Sequence, residues 1–154
     1  MANPDAVGAS GAPFTLDIER GKIREFARAT GSRNPAYREG DHPPIPPTFL
    51  TTQAFWMSRE SDVFPLLDFD WKRGLHAEQE YIFHGPPPRA GTRLTGQSRV
   101  AEIYRKQGRR GGTMTFSVIV TEFRDETGRL VAESRMTAVE TAKPPSKEPK
   151  ESKV

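Results

Sequence analysis

The chain has 154 residues, 34% of them hydrophobic, with 13 Gly, 14 Pro and no Cys; this length suits one domain, and the missing cysteines exclude disulfides, thiolate zinc sites and cysteine nucleophiles. The formal charge is +3, and the last 14 residues alone carry four Lys and two Glu. The rest is therefore close to neutral, with no clustered basic face, stacking motif or finger spacing of the kind that marks nucleic-acid binding.

Met1–Pro13 is small, polar and Gly-rich, and predicts a disordered N-terminal tail over 1–13. It has no basic stretch followed by an apolar one, so it does not read as a signal peptide. Phe14–Ile18 alternates apolar and polar, as a short strand does. Ile23, Phe26 and Ala27 fall at helical spacing, which predicts a helix over Glu19–Thr30 closed by Gly31 in the left-handed conformation. Asn34-Pro35 marks a turn, and Asp41–Pro47 is too proline-rich for regular structure. Pro47 suits the first position of a helix. Thr48–Met57, apolar on several sides, is the expected central buried helix. Ser58–Lys72 carries no clear pattern beyond a short helix near Val63–Leu67.

The remainder reads as β: Leu75–His84, Thr92–Lys106, Thr113–Arg124 and Leu130–Glu140. Gln107–Gly112 and Asp125–Gly128 are the hairpin connections. In the third of these strands Met114, Phe116, Val118 and Val120 share one face, and Thr115, Ser117, Ile119 and Thr121 the other. Thr141–Val154 is a Pro/Lys/Glu/Ser tract, expected to be disordered. No apolar run is long enough for a membrane span, and a soluble cytoplasmic protein is expected. One buried helix followed by an antiparallel run of strands is an α+β layout over residues 14–140.

Ala29-Thr30-Gly31-Ser32-Arg33-Asn34-Pro35-Ala36-Tyr37 resembles the active-site segment of MaoC-like, (R)-specific enoyl thioester hydratases and dehydratases, in which the pattern reads roughly Gly-Asp-x-Asn-Pro-x-His. Gly31, Asn34 and Pro35 keep the frame. Ser32 stands where that family has its catalytic Asp, and Tyr37 where it has its catalytic His. Ile18–Ala27, Pro46-Pro47-Thr48-Phe49, Leu75–Tyr81 with Pro88–Gly91, and Asp125–Val131 extend the resemblance in order over about Phe14 to Val139. It is closest to the N-terminal MaoC-like, or FAS1-like, dehydratase domain. The resemblance implies a hot-dog fold, an antiparallel sheet wrapped around one central helix. It also implies similarity to the subunit of (3R)-hydroxyacyl-ACP dehydratases that lacks the catalytic pair.

Reversible hydration of an enoyl thioester needs a base, an acid and a group that stabilises charge on the thioester oxygen. An unperturbed Ser does not titrate, and Tyr has a pKa of about 10, so Ser32 and Tyr37 cannot replace an Asp–His pair. No catalytic residue is therefore expected in this chain, which alone should be inactive. The resemblance implies a hydro-lyase subunit acting on acyl-CoA or acyl-ACP substrates. A second MaoC-like chain would carry Asp and His, in a heterodimer or heterotetramer. Asn34, Tyr37, Pro47, Thr48, Phe49, His76 and Gln79 are the expected substrate-binding residues, with backbone N–H groups at Thr48 and Phe49 as candidate oxyanion donors. The alternatives are a non-catalytic acyl-thioester-binding or regulatory homodimer and, ranked last, a hot-dog thioesterase; the latter wants a carboxylate near the central helix, and Thr48–Met57 has none.

His76 and His84, eight residues apart on one predicted strand, should share a face. His76 with Gln79 suits a channel or dimer interface, or simply a hydrogen-bonded strand histidine, and His42 should be solvated. Three scattered histidines make no metal site, and no cofactor is expected. Asp68, Asp70, Glu78 and Glu80 read as solvent-facing carboxylates. Arg105, Lys106, Arg109 and Arg110 read as a solvated turn, or as an attractor for coenzyme A phosphates or an acidic carrier protein.

Overall fold

The computed structural model describes residues 2–108 and 112–142. Five strands form one antiparallel sheet: β1 (Phe14–Asp17), β2 (Gly74–Phe83), β3 (Arg93–Gln107), β4 (Thr113–Arg124) and β5 (Leu130–Glu140). Their order is β1-β3-β4-β5-β2, so β1 and β2 are the edges. The α+β expectation holds. The alternation that predicts β4 and β5 also sets their limits, because the Asp125–Gly128 turn separates them and Gly128 adopts φ +84°. β4 is central, and it buries Val118 and Val120 on one face and Ser117, Ile119 and Thr121 on the other. On the β3–β4 pair, Tyr104 and Phe116 lie opposite each other and stack with ring centroids 4.9 Å apart, and the Lys106 ammonium lies over both rings.

Helix α1 (Arg20–Ala29) turns Ile23 and Ala27 into the core. Its end is a Schellman motif. Ser32 N–H donates to the Ala27 carbonyl at 2.8 Å and Gly31 N–H to that of Arg28 at 3.1 Å. Gly31 sits at φ +70°, where any side chain would be strained. The concave face of the sheet carries two apolar clusters. One gathers Leu16, Ile23, Phe49, Leu50, Leu94, Phe123 and Ala132. The other gathers Val63 and Leu67 of α2 (Phe64–Leu67) and its flank with Phe69, Val100, Ile119 and Ala138. Full burial of each Val, Leu, Ile or Phe among them contributes roughly 1.5–3 kcal/mol.

Three expectations change. The central helix expected over Thr48–Met57 is a 3₁₀ segment, Phe49–Phe55. Phe49 N–H donates to the Pro46 carbonyl and Thr51 N–H to that of Thr48. The adjacent β-branched Thr51 and Thr52 favour helix weakly, Thr48 makes no side-chain cap, and Phe55 points to solvent at 76% exposure. The N-terminal segment expected to be disordered is packed. Gly8 N–H donates to Val100 O and Gly11 N–H to Ser98 O, both at 2.9 Å, and Asn3 N–H donates to Leu67 O. Ala2 and Ala6 are buried, and Ala2 N–H donates to the buried Glu140 carboxylate. The same carboxylate accepts from Asp70 N–H at 3.0 Å. Finally, His76 and His84 face opposite ways, because the β2–β5 register shifts between His76 and Glu78; one extra residue inverts the alternation beyond it. Of the tail expected to be disordered over 141–154, Thr141 is held, its N–H donating to the Arg73 carbonyl at 3.0 Å; residues 143–154 and the tip of the Gln107–Gly112 hairpin, with Arg109 and Arg110, lie outside the described residues.

Candidate functional site

Between the two apolar clusters the concave face opens into a cavity of about 600 Å³. Its floor is the sheet and its roof the chain from Thr51 to Phe64. The roof leaves this space because the 3₁₀ segment is short and runs on into the irregular Trp56–Val63 stretch, where a long helix would fill the trough.

The floor follows from register. Ser98 of β3 lies opposite Thr121 of β4, Thr121 opposite Ser134 of β5, and Ser134 opposite Tyr81 of β2. Four neighbouring strands thus set four hydroxyls in one transverse row, all lining the cavity. The row on one side is Gly96, Phe123, Ala132 and Phe83; on the other it is Val100, Ile119, Met136 and Gln79. Ser98 and Thr121 hydrogen-bond each other at 2.8 Å, buried. Gln79 donates to Ser134 Oγ at 2.8 Å and to the Arg135 carbonyl at 3.3 Å. Burial pushes the Tyr81 phenol above its ordinary value, and a hydrogen bond with Thr51 pulls the other way. From the roof, Gln53 lines the cavity, and its buried Oε1 has no hydrogen-bond partner among the described residues.

The residues expected to bind substrate are divided by the fold. His76 and Gln79 line the cavity together. Asn34 and Tyr37 do not. Asn34 is exposed, and its Oδ1 accepts from Ala36 N–H at 3.0 Å, capping a single 3₁₀ turn, Pro35–Tyr37. The Tyr37 ring packs against the first apolar cluster. Ser32 Oγ accepts from Asn34 N–H, and the Ser32 carbonyl accepts from the Arg38 guanidinium. The Gly31–Arg38 loop thus closes on its own hydrogen bonds. Pro47 and Thr48 are exposed, whereas Phe49 is fully buried with Phe26 edge-on at 5.5 Å. Phe49 N–H, spent on Pro46, is not free for an oxyanion.

Of the other groups weighed, His84 pairs with Glu133 at 2.7 Å on the outer face. A His42 ring nitrogen meets the Ala90 carbonyl at 3.0 Å rather than water alone. Asp70 accepts from Lys72 N–H and Arg73 Nε and is held below the ordinary carboxylate range, chiefly by Arg73. The described residues include no group of His, Asp and Glu placed to hold a metal, and no helix long and apolar enough to cross a membrane. The cavity lacks an oriented acid–base pair. His76 Nε2 meets a neutral amide, Gln79 Oε1, at 3.4 Å, and Asp62 Oδ1 accepts from Phe64 N–H. Sequence reasoning missed Tyr81, Ser98, Thr121, Ser134 and Gln53.

The family model of the FAS1-like dehydratase domain region matches residues 5–134. A UPF0336 protein of Parafrankia sp. is 34% identical over 151 residues, covering 89% of this chain and 93% of that protein. A UPF0336 protein of Streptomyces coelicolor is 37% identical over 100 residues, 60% of this chain, and the match spans just under two thirds, 65%, of that relative. Among solved structures, the HadBC (3R-hydroxyacyl-ACP dehydratase) complex of Mycobacterium tuberculosis superposes with a TM-score of 0.70 at 24% identity, over 88% of this chain and 97% of that one. That likeness is one of fold. With the family model matching most of its length and a five-stranded antiparallel sheet holding the fold together, the chain belongs to the FAS1-like dehydratase region family and has the hot-dog fold.

Proposed function

We propose that this chain is the non-catalytic half of a cytoplasmic hydro-lyase that interconverts (3R)-3-hydroxyacyl and trans-2-enoyl thioesters of coenzyme A or a carrier protein. It furnishes the wall that receives the acyl group, and a partner hot-dog chain supplies the Asp and His. The observation that carries this reading is the Gly31–Arg38 loop. The frame of an acid–base segment is present and hydrogen-bonded, yet Ser32 and Tyr37 stand at the two positions where protons would move. Water addition needs one group to take a proton from water and another to deliver one to the α-carbon. A serine hydroxyl and a phenol with a pKa of about 10 do neither at neutral pH.

Two further features support the reading. β2 is an edge strand, exposed over Leu75–Glu78, and an open edge presents backbone groups to another strand. The cavity offers volume without chemistry, as an acyl-receiving wall would. The HadBC neighbour is itself described as a complex of a dehydratase.

The test is turnover of crotonyl-CoA by the chain alone, and then mixed with a hot-dog chain from the same genome bearing an intact Gly-Asp-x-Asn-Pro-x-His segment. No turnover alone and strong turnover in the mixture is the expected result. Strong activity from the chain alone would sink the division of labour. A cavity bounded by one chain also suits a second reading, a homodimer that binds acyl thioesters without turning them over. That reading predicts ligand binding with no stable complex with the catalytic chain.

A further inference from the structure

Resting on the acyl-binding reading of the cavity, we infer that its preferred occupant is an acyl chain carrying a further neutral oxygen substituent, a hydroxyl or keto group beyond the 3-position, rather than a plain alkyl chain. The observation is the transverse row of Ser98, Thr121, Ser134 and Tyr81. A trough built only for alkyl chains gains nothing from hydroxyls at its centre. Each hydroxyl buried without a partner costs free energy that Ala or Val at the same place would avoid. Here Ser98, Thr121 and Ser134 are all but fully buried. They stand on four strands with Tyr81, and only the sheet's register brings them into line.

The row is also incompletely used. In the Ser98–Thr121 pair one hydroxyl donates to the other, so one proton of the pair remains for a ligand. Ser134 Oγ accepts from Gln79 and keeps its own proton to offer. Gln53 of the roof also lines the cavity, and its Oε1 is buried with no hydrogen-bond partner among the described residues. Two donors on the floor match an oxygen that accepts, as hydroxyl and keto oxygens both do. Apart from Gln79, the rows on either side are apolar and suit methylene segments before and after that oxygen. Arg59 and Asp62, the charged residues of the lining, lie outside the row, so the site stabilises a polar but uncharged group, because a buried carboxylate would need a paired charge.

The experiment compares binding of dodecanoyl-CoA with its mid-chain hydroxyl, mid-chain keto and terminal-hydroxyl analogues. Titration calorimetry is run on the full chain and on its complex with the catalytic partner. At least one oxygenated analogue is expected to bind about tenfold more tightly than dodecanoyl-CoA, a step of about 1.4 kcal/mol. Thr121→Val and Ser134→Ala should erase that preference by weakening the oxygenated ligand and leaving the alkyl ligand unchanged. Equal or weaker binding of every oxygenated analogue overturns the inference and leaves the acyl-binding reading intact. Failure of all four ligands to bind, alone and in the complex, overturns both. Should either variant fail to fold, the comparison of ligands on the unaltered chain still decides.

Discussion

Tyr81 shows how a single side chain reports on the cavity. Its ring closes one end of the hydroxyl row, and burial raises its phenol above the ordinary value of 10.0. The folded state then binds the phenolic proton more tightly than the unfolded chain does. The stabilisation is complete below the unfolded pKa and is lost as pH rises through the higher folded value. Absorbance titration should show a tyrosine component ionising above the ordinary range, and Tyr81→Phe should remove that component together with its share of the alkaline loss of stability. If every tyrosine titrates normally, the cavity is wetter than its lining implies. A bound ligand that excludes water should raise this pKa further.

At the scale of elements, the attachment of β1 depends on one missing side chain. Gly96 lies opposite Phe14, and a Cβ at that position would run into the Phe14 ring, which packs edge-on to Phe123 at 6.4 Å. Gly96→Ala should therefore cost about 2 kcal/mol through overpacking, read as a lower urea midpoint with little change in slope. Gly31→Ala, with open space around it but φ +70°, should cost nearer 1 kcal/mol through backbone strain alone. These elements were legible where local chemistry decides them. α1 has helical spacing and a terminal glycine, and β4 and β5 have period two and a Gly-containing turn. The central helix was misread because apolar composition does not separate a long α-helix from a short 3₁₀ segment. There the carbonyl of Pro46 and two β-branched threonines tip the balance. The shift at His76–Glu78 has no Gly or Pro to announce it. The N-terminal segment is held by backbone hydrogen bonds and small buried alanines, which composition does not report. Of the cavity, His76 and Gln79 could be picked out as a polar patch. The hydroxyl row could not, since its members are scattered from residue 81 to residue 134 and meet only through register.

For the whole molecule, the asymmetry of the two sheet edges sets how it meets a partner. The β1 side is short and is prolonged by the N-terminal segment, where Ser10 bridges to Arg99. The β2 side is long and open, and Leu75 at its start is half exposed. The start of this edge, before the bulge at His76–Glu78, is where strand addition is favoured. Leu75→Lys should leave the chain folded, with an unchanged melting temperature, and should weaken association with a catalytic hot-dog partner in sedimentation. Unchanged association would move the interface away from β2.

The bond between Ala2 and Glu140 closes a loop of 138 residues, and this governs the order in which the molecule assembles. The β3–β4 and β4–β5 hairpins join neighbouring segments and can form early; a contact between the two ends carries a high loop-closure cost and comes late. During synthesis Ala2 must wait for Glu140 until β5 has been made, although Leu67, Ser98 and Val100, the partners of Asn3, Gly11 and Gly8, are made earlier. The N-terminal segment should open first in the folded state. Hydrogen exchange at the Gly8 and Gly11 amides should outpace that of β4, marking the last piece to dock as the first to leave.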